Sequence, residues 1–108
     1  MKDDKVYLIN IIECIEKIEL YTKLNKEEFM NSSLIQDAVL RNLEIIGEAT
    51  KKITPELRNY CSNIAWRQMA GLRDILIHDY MGVDLKTVWN VIENELPVIK
   101  DKIKTIID

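Results

Sequence analysis

Gly71-Leu72-Arg73-Asp74-Ile75-Leu76-Ile77-His78-Asp79-Tyr80 holds the only histidine of the chain, five residues after Arg73 and two before Tyr80. Leu72, Ile75, Leu76 and Ile77 recur at helical steps, which predicts a helix with one side held against a core. An imidazole exchanges protons near neutral pH, and a guanidinium presents a fixed fork of donors to anionic oxygens. Such a pair on a short, core-anchored helix suits chemistry at a phosphate. The remainder of the chain reads as the scaffold that places this helix.

Working outward, the helix carrying the stretch is predicted over residues 64–79, with Gly82 as a left-handed cap. Asp84 then caps a last helix with Leu85, Val88, Trp89, Ile92, Leu96, Ile99, Ile103 and Ile106 on its buried side, and Pro97 should kink it. Upstream, Thr54-Pro55 is a cap followed by proline at the first helical position, opening a short helix to about Cys61. A longer helix is predicted over residues 33–53, capped from within Asn31 to Ser33. Its buried face is expected to use Leu34, Ile35, Ala38, Ile45, Ile46, Ala49 and Ile53, and Gly47 suggests close approach of a neighbouring helix. Arg41, Glu44 and Glu48 share another face, either a solvent-facing ion pair or a polar wall of the site. Residues 24–31 read as a connector with one turn around Glu27 to Met30. The first helix, residues 4–23, places Leu8, Ile11, Ile12, Ile15, Ile18 and Thr22 on one stripe, with Asp3 or Asp4 as its cap. Trp66 and Trp89 read as core or interface anchors. No strand pattern and no repeat is visible, so the fold class is all-α, a bundle of four main helices plus one short one.

Composition limits the function classes. The 108 residues read as a single domain, 1–108, whose core a dimer would extend. A hydrophobic content of 47% with 31% charged residues is that of a globular chain rather than a disordered one. Apolar runs are too short to span a membrane, and the charged start is unlike a signal peptide, so a cytoplasmic protein is expected. Cys14 and Cys61 lack metal-ligand spacing, and one histidine cannot complete a typical zinc set, so no metal or other cofactor is expected. The net charge of −3 argues against nonspecific coating of nucleic acid, and no DNA partner is expected. Lys51, Lys52, Arg58, Arg67 and Arg73 nevertheless outnumber Glu56 in one segment, while acidic residues crowd the first third. That distribution fits one localised anionic ligand, or a solvated mixed-charge surface.

Five residues on an ideal helix separate Arg73 and His78 by about 140°, whereas Asp74 and His78 share a face. The stretch alone therefore does not aim arginine and histidine at one point. Three arrangements are open. The helix could loosen near His78, a second copy could complete the site, or the residues could make an ordinary Asp74–His78 contact with an arginine packed through its stem.

Arg73, four residues, His78, one residue, Tyr80 resembles the R-X4-H-X-Y signature of the HepT toxins within the HEPN superfamily. The blocks Asp37 to Ala49, Trp66 to Arg73 and Asp79 to Trp89 are also similar to that family, so the resemblance covers nearly the whole chain. The wider superfamily usually has asparagine after the arginine, where this chain has Asp74, an acceptor only when ionised.

The resemblance implies a dimeric HEPN-type bundle whose two motifs meet near the two-fold axis and cleave RNA without metal. It implies Arg73 and His78 as catalytic residues, Asp74 as the group that orients His78, and Tyr80 as RNA-binding residue. It also implies a nucleotidyltransferase antitoxin that transfers AMP onto Tyr80, with RNA (transfer RNA at the family level) as substrate. Attack by a 2′-hydroxyl needs a base, an acid and positive charge, and a symmetric dimer supplies two histidines and two arginines. The dimer interface is expected on the motif helix, with Ala70 and Gly71 allowing close approach and Trp66 and Met69 as anchors. The rival reading is a non-catalytic HEPN helper that presents substrates to a nucleotidyltransferase.

Overall fold

The computed structural model describes residues 2–78 and 84–107, with side chains at 3–72 and 84–107. The order is α1 (Lys2–Thr22), α2 (Lys26–Asn31), α3 (Ser33–Lys51), α4 (Pro55–Tyr60), α5 (Trp66–His78), α6 (Leu85–Asn90), a π-helical segment Val91–Glu95, and α7 (Leu96–Ile107). The last three join end to end as one long helix. The architecture is thus all-α, four long helices with α2 and α4 as short ones.

Helix α3 lies at the centre, packed along α1 on one side and α5 on the other, while α1 also packs on α7. The α1 stripe is buried as its spacing predicts: Ile11, Ile15 and Ile18 are fully enclosed, and each contributes roughly 1.5–3 kcal/mol. Thr22 ends the stripe, its hydroxyl donating to Ile18 O at 2.9 Å.

Helix α3 buries Ile46 and Ala49, and Ile53 just beyond its end, as expected, with Ile35 and Ile45 packed against the core. Its buried face is nevertheless broader than the expected one. Its core residues are Val39, Leu40, Leu43, Ile46 and Ala49, with Asn42 and Thr50 also buried, whereas Leu34 is 80% exposed. Having neighbours on two sides broadens the buried stripe and rotates it away from Leu34. Gly47 is buried on this helix.

Ser32, Thr54 and Asp84 act as N-caps, their side chains accepting from Ile35 N, Leu57 N and Lys86 N. The expected cap of α1 is not one. Asp4 sits inside the first turn, 2% exposed, and accepts from Thr54 instead. Its own helix already begins at Lys2, so the carboxylate serves the start of α4.

The connector of residues 24–31 contains a full short helix. Lys23 and Leu24 take left-handed φ values of 48° and 56° and turn the chain after α1, and Asn25 caps α2 by accepting from Glu28 N at 3.0 Å. Phe29 is fully buried, its ring centroid 5.5 Å from that of Trp89. This one aromatic anchor turns a polar connector into packed structure.

Pro97 leaves no gap in the final helix. The backbone ladder widens just ahead of it, and Leu96 N donates to Val91 O, five residues back. Proline has no N–H and crowds the preceding turn, and a π-helical turn is one way a helix absorbs that. Across the junction Val88, Trp89, Ile92, Leu96, Ile99 and Ile103 remain buried. No described helix is long and apolar enough to cross a membrane.

Candidate functional site

Helix α5 is anchored at its N-terminal end. Ile64, Trp66 and Met69 lie in the core, and Trp66 Nε1 donates to Cys61 O at 2.9 Å. Trp66 and Met69 are 6% and 1% exposed within this single chain. Their expected role as dimer anchors is therefore corrected: the bundle's own core already uses them.

The helix remains α-helical through His78. Among the described residues, which on this helix end at His78, no loosening is found, so Arg73 and His78 stand about 140° apart around the axis and about 7.5 Å apart along it. Asp74 and His78 are one turn apart on one side. The side chains of Arg73, Asp74 and His78, and all of Asp79, Tyr80 and Gly82, lie outside the described residues.

At Gly71 an added Cβ would meet nothing within 4 Å. Among the described residues no neighbouring element requires the glycine, and on their side α5 is open at this position. Beside it, between α5 and the last helix, runs a groove of about 260 Å³. Met69 and Leu72 from α5 and Val91 and Ile99 from the last helix give it an apolar lining, and Gln68 and Glu95 supply its polar groups. Neither Gln68 nor Glu95 stands out in the sequence as a site residue. The only local signal was a glycine in a helix, and Glu95 reaches the groove only through the packing of two distant helices.

Of the basic segment, Arg58, Lys52 and Arg67 go to different places. Arg58 Nη2 donates to Thr50 O at 2.7 Å, closing the C-terminal end of α3, and Lys52 Nζ lies 5.7 Å from the centroid of the Tyr7 ring. Arg67 is exposed on α5. Of the α3 face, Arg41 and Glu48 are exposed and Glu44 half-buried. Glu48 lines a second groove with Tyr7, Asn10 and Lys52, between α1 and α3. Both cysteines are free and buried, and burial pushes the Cys14 thiol upward in pKa, with Glu13 adding to and Lys17 opposing the shift. A thiol so placed is a core group rather than a nucleophile.

Comparison with known proteins agrees with this helical frame. The profile of the family described as "Ribonuclease HepT-like" matches residues 11–106. The chain is 45% identical over 108 residues to a Methanocaldococcus jannaschii protein named "Gamma-glutamylcyclotransferase and putative RNase", covering 99% of this chain and 49% of that one. A second protein of that organism, named "Putative RNase", is 44% identical over 107 residues, covering 98% of this chain and 88% of its own length. The "Probable ribonuclease HepT" of Thermococcus cleftensis is 42% identical over 102 residues, with 94% and 93% covered. The chain therefore spans about half of the first relative and most of the other two. No solved structure matches it. Coverage from the first helix to the end of the last, with relatives above 40% identity, means that the chain belongs to the HepT-like ribonuclease family.

Proposed function

We propose that the protein is a metal-independent RNA endonuclease, the toxin of a toxin–antitoxin pair, with its active site shared between two copies. Family membership supports the ribonuclease activity. The observation that carries the two-copy site is the regular α-helix through His78. One copy of such a helix holds Arg73 and His78 on different sides, and two copies brought together offer two of each.

In this mechanism His78 of one copy takes the proton of a ribose 2′-hydroxyl. The 2′-oxygen bonds to the adjacent phosphorus, and the bond from phosphorus to the 5′-oxygen breaks. The second His78 protonates the departing 5′-oxygen, leaving a 2′,3′-cyclic phosphate and a 5′-hydroxyl. Arg73 holds the charge of the phosphorane, and Asp74, one turn before His78, orients the imidazole. Tyr80 binds RNA, and a nucleotidyltransferase antitoxin silences the enzyme by placing AMP on its hydroxyl. The bulky nucleoside occupies the strand's path, and the added phosphodiester charge repels the substrate's phosphates.

The test is incubation of purified protein with total RNA in EDTA. Cleavage that yields cyclic-phosphate ends supports the proposal. Intact RNA together with tight binding of a nucleotidyltransferase would support the non-catalytic helper instead. Mass spectrometry after incubation with the antitoxin and ATP should find adenylate on Tyr80 together with loss of cleavage. Adenylate elsewhere, or full activity after modification, rejects the switch.

A further inference from the structure

We propose that the groove beside Gly71 seats a guanine base of the RNA strand being cleaved, with Gln68 and Glu95 reading its edge; this rests on the ribonuclease reading above. The groove's size limits what it can hold. At about 260 Å³ it falls below the ~300–1,000 Å³ of pockets for drug-sized ligands, so it accommodates one ring system rather than several. Its apolar surface comes from both walls, Met69 and Leu72 facing Val91 and Ile99. Gln68 and Glu95, also from opposite walls, are both exposed. Apolar faces with a few polar groups at the edge match a nucleobase, and single-stranded RNA is recognised by splaying a base into such a site.

The polar groups select among the bases. An ionised carboxylate only accepts hydrogen bonds, whereas a carboxamide both donates and accepts. Guanine alone presents two adjacent donors, N1–H and the 2-amino group, which a carboxylate can take together. Its neighbouring O6 accepts from the Gln68 amide. Adenine and cytosine offer an amino group beside an acceptor nitrogen, and uracil offers one N–H between two carbonyls, so each sets a lone pair against the carboxylate. Among the described residues, Glu95 has a long contact from Asn90 Nδ2, 3.5 Å from Oε2, to displace.

The groove also lies suitably along α5. Gly71 and His78 are seven residues apart, hence on the same side of the helix and about 10.5 Å apart along its axis. A strand with one base in the groove therefore runs on to the level of His78. A second copy meeting α5 at the shared site is compatible with this seat, because the groove itself fits one ring and carries a carboxylate, a group that interface centres avoid.

The experiment titrates the ¹⁵N-labelled full chain with GMP, AMP, CMP and UMP separately and follows backbone amides of α5 and of residues 91–99. GMP is expected to shift these amides and to bind at least about tenfold more tightly than the other three, one such factor corresponding to one lost pair of base contacts. Glu95→Gln should remove that preference. Gly71→Leu, whose Cβ meets no described neighbour and which adds a side chain to the groove's lining, should keep the fold and abolish the shifts. Equal binding of all four nucleotides would mean that the common phosphate is recognised, and overturns the proposal. So does GMP binding that survives Gly71→Leu, or a Gly71→Leu variant whose only change is in sedimentation, which would assign the groove to a protein interface. RNA cleavage with no guanine preference and no GMP shift rejects the base seat while leaving the nuclease. GMP bound in the groove of a chain that cleaves nothing retains the seat and rejects the nuclease.

Discussion

Asp4 and Thr54, fifty residues apart, are joined by two hydrogen bonds: the carboxylate accepts from the Thr54 backbone N–H at 2.9 Å and from its hydroxyl at 2.6 Å. The same hydroxyl accepts from Leu57 N at 3.3 Å, so the first turn of α1 is tied through Thr54 to the first turn of α4. Burial pushes the Asp4 carboxyl up in pKa, but the Thr54 side-chain and backbone hydrogen bonds outweigh it, and the group lies below its ordinary value of 3.8.

Asp4→Ala should destabilise the fold by about 2–3 kcal/mol, because it removes two bonds to a charged acceptor and leaves Thr54 N without its partner. Urea denaturation measures this. A loss below about 0.5 kcal/mol would mean that water replaces the carboxylate.

The same carboxylate contributes to acid stability. Its pKa is depressed in the folded state, so its contribution is fully present above the unfolded value of 3.8 and is lost as pH falls through the lower folded value. The gap between wild type and Asp4→Ala should therefore be constant at neutral pH and narrow as pH drops below 3.8. Paired denaturation curves across that range test the assignment, and a gap that widens in acid contradicts it.

Gly71→Ala should raise stability by about 0.5–1 kcal/mol, since glycine inside a helix costs that much relative to alanine and the new methyl meets no neighbour within 4 Å. Thermal melts decide it. A destabilised variant would place an unseen contact at that side of α5.

Lys100 bridges α7 to α1, with Nζ 2.8 Å from Glu19 Oε1 and 3.6 Å from Glu16 Oε2, and the Glu19 hydrogen bond leads the causes that raise its pKa. A double-mutant cycle on Lys100 and Glu19 should return a coupling of about 0.5–1 kcal/mol at low salt, shrinking as salt is added. A coupling indifferent to salt would point to stem packing instead.

His78→Ala and Arg73→Ala should each reduce RNA cleavage by at least about a hundredfold while leaving the helical content intact. An equimolar, subunit-exchanged mixture of wild type and His78→Ala tests the shared site, because the mixed dimer keeps only one of the two histidines and only about a quarter of the dimers keep both. Retention of about half of the activity, as independent sites would give, would confine the site to a single copy.

Local chemistry made much of the fold legible. Ser32, Thr54-Pro55 and Asp84 announce helix starts because a cap acts on backbone groups two or three residues away, and the isoleucines of α1 announce their stripe because its spacing repeats within one element. The location of Arg73, Asp74 and His78 on one helix was legible for the same reason. Other features needed partners distant in sequence. Asp4 looks like a cap for its own helix until Thr54 is brought beside it. The buried face of α3 depends on having α1 and α5 on two sides, and α2 exists as packed structure because Phe29 finds Trp89. The π-helical turn before Pro97 is one of several ways to absorb a proline, and only packing along the whole last helix selects it. Gln68 and Glu95 meet at one groove through that same packing. Sequence alone determined the long helices, the caps at Ser32, Thr54 and Asp84, and which residues ride together on α5. Tertiary structure decided which faces are buried and which side chains meet, because helical periodicity is a property of one element whereas burial and convergence depend on several at once.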